Sequence, residues 1–546
     1  MDSRRRYATA IALSLILGVQ GCAILSPADP RVIERWQHVW APRQPHELPP
    51  VLPVIFIPGI KGSVLKRGNK VLWGNTRVVR LSSLDDLTVP LPKQDVLPQE
   101  RFDQRDSQGR RIVSTEILGD FDVRLFFPFR VTVEVPIYQR FRDILVKAAK
   151  FSPGSTVFFF DYDWRLDNRV AAVALAGALP DLRAKYNESY LRDYCAPHGS
   201  IDQCLERVRA NPDWKHLVGP NGIKFNIVTH SMGGLVARYL IRGLGYGDEV
   251  HNLILVSAPN QGAMDAMRGV VVGEYPLPSV LFHFYQPKDT RPVFLSFPAS
   301  FQLLPRYLGA IHPIYSDGPS QETLWLTEIP RDTPARVDET LALWLRALDY
   351  NSEDWKLLCR ASRAATPEEC RGRFSDHIAA ELESAFHFHK TIRHGYGRLA
   401  PQAQGYEERK TAEAEAVANR LRGTSVRGTL RRDGRQEDPT HTHQFFGHCD
   451  RTATSAWAEP ERIDFCGSGG RPAEACNEFG DARVPRLSFE DMSLRRDFIG
   501  QKPRGHVSDL VLCVGHTGVI DSPTVQDNLL RALFRERLDA LYGQPR

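Results

Sequence analysis

From about residue 51 onward, short runs of consecutive apolar residues alternate with amphipathic stretches. The clearest runs are 51–58 (VLPVIFIP), 155–164 (STVFFFDYDW), 223–230 (IKFNIVTH), 252–259 (NLILVSAP), 442–448 (THQFFGH) and 509–516 (DLVLCVGH). Runs this short and this continuously apolar predict strands covered on both faces. Their alternation with helical patterns predicts a mostly parallel sheet flanked by helices, an α/β fold. The last helix is the most sharply marked. Ser522 or Asp521 can cap it and Pro523 suits its first turn, while Val525, Leu529, Leu530, Leu533, Leu538 and Leu541 form one stripe ending before Gly543. Between the first two runs, RRIVSTEIL and FRVTVEVPIY read as added antiparallel strands. From Gly262 to about Pro439 the alternation stops. The segment opens with the apolar, proline-studded VVVGEYPLPSVLFHFY and then shows helical patterns over 376–394 and 407–422. A large excursion between two sheet strands predicts a cap over the site. No internal repeat is visible.

The amino terminus does not belong to this pattern. A basic MDSRRR precedes an apolar run over 7–18 and the sequence Val19-Gln20-Gly21-Cys22. The run falls short of the roughly 20 apolar residues a membrane span requires and has the layout of an export signal. A cysteine after a small residue at this point resembles a bacterial lipobox, which implies cleavage before Cys22 and acylation of its sulfur; the alternative is an ordinary secretory signal. Ala23, where an inner-membrane retention signal would place Asp, points to the outer membrane, facing the periplasm. A proline-rich linker then leads to the first strand. The expected organisation is signal 1–21, anchor and linker 22–50, core 51–262, cap or lid insertion 263–439, and core again 440–546. In an oxidising compartment Cys195/Cys204 and Cys359/Cys370 are expected to pair locally. Cys449, Cys466 and Cys476 can supply a further bridge, and Cys513, inside LVLCV, is expected to be a buried thiol.

Composition narrows the function classes. Of 546 residues, 42% are hydrophobic and 25% charged, which excludes a disordered, collagenous or polytopic membrane protein. A net charge of +5, from 70 basic and 65 acidic residues, does not support nucleic-acid binding.

The chemistry begins at Thr229-His230-Ser231-Met232-Gly233, a close match to the G-x-S-x-G elbow, in which a strand turns sharply into a helix and presents a serine hydroxyl. IKFNIV before it reads as a strand and LVARYLI after it as a helix, with Gly233-Gly234 allowing close packing. Thr229 replaces the first glycine, so the elbow is expected to open slightly there. A nucleophilic Ser231 needs a histidine just beyond the last strand. His516 has that position, whereas His506 precedes the strand and faces the other end of the sheet. The acid should follow the strand before, where Gly480-Asp481-Ala482 offers Asp481 on a tight turn; Asp464 and Asp450 compete for the role. Met232 N–H and, from the turn Pro58-Gly59-Ile60-Lys61-Gly62-Ser63, Ile60 N–H are the candidate oxyanion donors.

Taken together, PVIFIPGIKGSVL, YDWRL from Tyr162, HSMGG from His230, SAPNQGA from Ser257, FQLLPR from Phe301, GDARVP from Gly480 and the GH at His516 resemble the lecithin:cholesterol acyltransferase and phospholipid:diacylglycerol acyltransferase family, including its bacterial lipase-like relatives. The segments lie in order across nearly the whole mature chain. The resemblance implies an α/β-hydrolase fold and a triad of Ser231, Asp481 and His516. It further implies an oxyanion hole at Ile60 and Met232, and Gly59, Asp163 and Trp164 on the substrate side. For Asp163 a local ion pair with Arg165 is the plainer reading, and for Trp164 a core aromatic. GDARVP stands where GDGTVP is commoner, and the cap does not align.

The implied activity is that of a lipid acyl-ester hydrolase or O-acyltransferase acting on a phospholipid or other acyl lipid, with a lipid alcohol as possible acceptor, held to a membrane surface through Cys22. The alternatives are a carboxylesterase or lipase without transfer, and a non-catalytic envelope lipoprotein. No cofactor is expected. No metal is expected either: His443 and His448 alternate across their strand, and neither C-x-x-C nor H-E-x-x-H accompanies them, His441 or Cys449. His387, His389 and His394 read as solvated or core-edge positions on a helix.

Overall fold

The computed structural model describes residues 30–37, 47–74, 85–89, 111–127, 129–136, 138–273, 290–307, 310–313, 366–394, 440–447, 450–453, 456–458, 463–465, 477–480, 482–489, 507–513, 515–516 and 518–542, with a few single positions between them. Six strands form the central sheet: β1 (Val54–Ile57), β2 (Val157–Phe159), β3 (Phe225–His230), β4 (Val250–Val256), β5 (His441–Gly447) and β6 (Val507–Leu512). Each falls in or overlaps one of the six apolar runs. Their order is β6-β5-β4-β3-β1-β2 and every neighbouring pair is parallel. β1, β3 and β4 are buried along their whole length, which is why they read as unbroken apolar runs.

The chain moves from β1 outward to β2, returns across β1 to β3, and then proceeds to β6 on the other side. The order therefore reverses between β1 and β3. In an open parallel sheet, the crevice beyond the carboxyl ends of the strands at such a switch point is where ligands bind. Ile57 pairs with Thr229, and His230 with Val256, so the turn after β1 and the elbow after β3 leave the sheet side by side.

The main flanking helices are α1 (Asn168–Tyr186), α2 (Gly233–Arg238), α3 (Pro367–His394) and α4 (Pro523–Tyr542). Asp167 caps α1, its side chain accepting from Arg169 N–H. In α4, Val525, Leu529, Leu530 and Leu533 are buried, as the predicted stripe requires. The RRIVSTEIL segment forms a strand, Val113–Ile117, antiparallel to Ser63–Arg67, and FRVTVEVPIY forms Phe129–Pro136, antiparallel to Asp120–Phe127.

Between β4 and β5 the chain leaves the sheet and builds a second apolar cluster, including Met264, Met267, Phe301, Trp344, Phe374 and Ile378. Helix α3 runs through it and is tied to the core by polar groups. Arg238 Nη2 and Arg242 Nη1 donate to the carbonyls of Ile392 and Arg393, at 3.3 and 2.8 Å. These arginines supply donors to the last carbonyls of α3, which have no partner within the helix. His389 Nε2–H donates to Gln302 C=O at 2.7 Å and the residue is buried, further inside than the expected core edge. His387 is half-buried. The predicted helix over 407–422 and the apolar stretch 277–285 lie outside the described residues, as does the segment around Cys22.

Cys195–Cys204 and Cys359–Cys370 are closed as disulfides. Cys513 corrects an expectation: it is exposed and disulfide-bonded, not a buried thiol. It lies just past the end of β6, the edge strand of the sheet among the described residues. Among the described residues no helix is long and apolar enough to cross a membrane.

Candidate active site

Ser231 follows β3 with φ at +52°, the left-handed conformation of a strand-to-helix elbow. Such a backbone costs a non-glycine residue roughly 1–3 kcal/mol and persists only where the surroundings impose it. Here Ser231 N–H donates to Val256 C=O at 2.9 Å, and Ser231 C=O accepts from Gly234 N–H at 3.0 Å. Gly233 and Gly234 are required by contact. A Cβ on Gly233 would stand 2.5 Å from Ile57 O, and one on Gly234 would stand 2.6 Å from Ala258 Cβ. Thr229 fits because its hydroxyl donates to Ile254 C=O at 3.2 Å, turning the branched side chain toward β4.

His516 Nε2 lies 3.1 Å from Ser231 Oγ, across 285 residues of sequence. The histidine sits on the turn between β6 and the short helix Val519–Asp521 that leads into α4. That turn is pinned at both ends. Asp521 pairs with Arg140, and the His516 carbonyl accepts from His230 Nε2–H at 3.3 Å. His230 is itself oriented from behind by Tyr138. Burial pushes the Tyr138 phenol well above its usual value, so it stays protonated. It accepts from Gly59 N–H at 2.8 Å and donates to His230 Nδ1 at 3.0 Å. One phenol thus joins the turn after β1 to the residue that holds the His516 backbone.

The turn over 58–63 is held from every side. Gly62 N–H donates to Gly59 C=O at 3.1 Å, and Lys61 has φ +63°, a positive φ where such turns usually place glycine. Buried donors fix its carbonyls: Tyr162 O–H to Pro58 O at 2.9 Å, Trp73 Nε1–H to Lys61 O at 2.8 Å, Leu118 N–H to Gly62 O at 2.8 Å and Trp164 Nε1–H to Ser63 O at 3.0 Å. Gly59 touches the elbow directly: a Cβ there would lie 2.8 Å from Ser231 Cβ. The Met232 N–H stands at the start of α2, ahead of any intrahelical acceptor. Ile60, in the same turn as Gly59, is half-buried.

Asp163 and Trp164 show the plainer features expected of them, a local ion pair and a core aromatic. Asp163 is buried in a two-point pair with Arg165, through Nε at 2.8 Å and Nη2 at 2.5 Å, and Arg165 Nη1 donates to Leu87 O at 2.9 Å. Trp164 is 1% exposed, packed edge-on against Trp73 and Phe297. Trp164 braces the 58–63 turn through Ser63.

Asp481 lies outside the described residues. Gly480 bridges to Pro485, Ala482 has φ +74°, and Ala482 N–H donates to Thr452 Oγ1 at 2.9 Å. The strand before it, Asn477–Gly480, pairs with Asp450–Ala453, just after β5. Of the competing carboxylates, Asp450 lies opposite Gly480 in that pair and Asp464 in the strand Ile463–Phe465. His506, His448 and Cys449 are also outside the described residues, while His441 and His443 lie on β5. Tyr138 and Trp73 were not legible as site residues; nothing in their local sequence marks a contact with a turn elsewhere in the chain.

A parallel sheet with a serine elbow beyond one strand and a histidine beyond the last is the α/β-hydrolase arrangement. No protein-family model and no curated protein matches the chain. Among solved structures, one chain in the crystal structure of a Tle4–Tli4 complex matches at 14% identity, over 89% of this chain and 98% of that one. The TM-score is 0.43, too distant a likeness to bear on function.

Proposed function

We propose that the protein is a serine-dependent lipid acyl-ester hydrolase or O-acyltransferase, of the kind its motifs resemble. The observation that carries this reading is the 3.1 Å approach of His516 Nε2 to Ser231 Oγ on a strained elbow. His516 Nε2 takes the hydroxyl proton as Oγ attacks the ester carbonyl, and Asp481 holds Nδ1–H and stabilises the imidazolium. The N–H groups of Met232 and Ile60 receive the developing oxyanion. Collapse of the intermediate breaks the ester bond. The leaving alcohol departs with the proton from His516, and the acyl group stays on Ser231. Water then releases a fatty acid, or a lipid alcohol takes the acyl group, with His516 again moving the proton.

Substrate and location rest on sequence. The substrate class is a phospholipid or other acyl lipid, and Cys22 is an acylation site that holds the enzyme at the outer membrane facing the periplasm. Two or more acyl chains make such attachment stable and raise the local concentration of bilayer lipid. Replacing Cys22 by Ser should move the protein out of the membrane fraction and leave turnover of a soluble ester unchanged.

The deciding experiment follows labelled phospholipid with and without a sterol or diacylglycerol acceptor. Free fatty acid alone in both conditions makes the enzyme a hydrolase, and label on the acceptor makes it a transferase. No turnover of any ester, together with no labelling of Ser231 by a fluorophosphonate, would contradict the proposal.

A further inference from the structure

Away from the elbow, the described residues hold a second constellation of chemistry-bearing side chains, formed by His216, His251 and Glu536. Their donor atoms all lie within 4.8 Å of one another. They come from three separate elements: the short helix Lys215–Leu217, the second residue of β4, and the last third of α4. His251 Nε2 is 2.7 Å from Glu536 Oε1, and His216 Nε2 is 3.7 Å from the same oxygen. The two imidazole rings are 5.2 Å apart.

We propose that His216, His251 and Glu536 form a binding site for a divalent metal ion of the zinc class, with two imidazole nitrogens and one carboxylate oxygen as protein ligands and solvent in the fourth position. The donor chemistry selects the class. Imidazole suits zinc, cobalt and nickel, whereas calcium and magnesium take oxygen shells.

The geometry is close to what such an ion needs. With bonds of about 2.0–2.1 Å, a tetrahedral site sets its ligand atoms about 3.3 Å apart. The observed 2.7 and 3.7 Å fall on either side of that value, so each contact changes by about half an ångström on binding. Two ligands are already ordered by burial, since the side chains of His251 and Glu536 are 3% and 14% exposed. The His216 side chain, at 44%, leaves a path for the ion and a face for solvent. His441 packs edge-on against His251 at 5.5 Å and fixes its ring plane. The helix geometry of α4 breaks at Phe534, which stacks on Phe151, so packing sets the direction of the helix just before Glu536.

Position gives the site its role. His251 lies near the amino end of β4, whereas Ser231 leaves the sheet beside Val256 at the other end. Five residues of strand separate the two ends by about 17 Å, so the ion cannot reach an ester at Ser231. It would instead tie α4 to β4, and α4 directly follows the turn that carries His516. The inference is thus independent of the acyl chemistry proposed above.

The test uses the full chain stripped with a chelator and titrated with Zn²⁺ and, separately, Co²⁺. The expected result is saturation near one equivalent, a visible Co²⁺ absorption of tetrahedral type, and a Tm that rises by several degrees. His216→Ala, a change at a partly exposed residue that the fold tolerates, should weaken binding by more than the roughly 10–100-fold typical of losing an outer partner, and Glu536→Gln should do the same. Ester turnover should be unchanged in His216→Ala. Absence of saturable binding, or binding that both variants leave intact, would overturn the proposal and reduce the constellation to a hydrogen-bonded His–Glu–His contact. If Glu536→Gln fails to fold, His216→Ala decides alone.

Discussion

Replacing Gly59 by Ala tests how tightly the turn after β1 is fitted to the elbow. The new Cβ would lie 2.8 Å from Ser231 Cβ, 3.2 Å from His230 O and 3.3 Å from Ser231 Oγ. Carbon atoms settle at about 3.5–4.0 Å, so the closest contact must open by roughly an ångström. Nothing on either side is a flexible side-chain end. His230 O is backbone between β3 and the elbow, and Ser231 is held at φ +52° by hydrogen bonds to Val256 and Gly234. The displacement therefore falls on the relation between Ser231, His516 and the proposed oxyanion donors. A misplacement of that size costs about 100-fold in rate, while overpacking costs the fold about 1–3 kcal/mol. The assay is kcat and KM on a soluble short-chain ester, with urea unfolding in parallel. Gly372→Ala in α3 serves as the reference, since a Cβ there meets nothing within 4 Å. The expected result for Gly59→Ala is kcat lowered about 100-fold with cooperative unfolding retained. Activity within roughly threefold of the parent would show that the contact is not tight and refute the reasoning.

Tyr138→Phe leaves Gly59 N–H and His230 Nδ1, both buried, without the hydroxyl that joins them. At about 1–3 kcal/mol for each lost partner, stability should fall by a few kcal/mol and kcat should drop with KM nearly unchanged; an unaltered kcat in a folded variant would remove Tyr138 from the account. Acid stability should depend on His389. Burial, with Arg306, Arg393 and Arg238 nearby, holds its imidazole well below the usual value despite the hydrogen bond to Gln302 C=O. The unfolded chain takes up a proton near pH 6.5 that the native protein refuses, so this contribution to stability is complete above that pH and drains away as the pH falls below it. Urea unfolding at pH 7.5 and 5.5 should show His389→Gln losing less stability than the parent, and equal losses would exclude His389 as the cause.

The sheet was legible because parallel strands covered on both faces cannot alternate, and VIFI, FNIVTH and HNLILV are as buried as their continuous hydrophobicity requires. The start of α3 was also written in the sequence but lay earlier than the 376–394 pattern. Thr366 Oγ1 accepts from Glu369 N–H, and Glu368 and Glu369 fill the first turn after Pro367. Ser231 and His516 could be read because a strand fixes where the residue after it must go. The Asp163–Arg165 pair and the core position of Trp164 were legible too, because a carboxylate two residues from an arginine and an aromatic in an apolar run have an obvious local partner and an obvious burial. The Tyr138–His230 contact was hidden, because 92 residues separate its partners and only the packing of separate elements brings them together. The same holds for His216, His251 and Glu536, which share no spacing that sequence could display.

Ser231 and His516 are proposed to act as one unit, and comparing kcat/KM for Ser231→Ala, His516→Ala and the double variant on one soluble ester decides it. If the 3.1 Å contact is the working pair, each single change should lower kcat/KM by roughly four orders of magnitude or more, and the second change should add little to the first. Losses that multiply in the double variant, or a His516→Ala protein that keeps near-parent turnover, would contradict it.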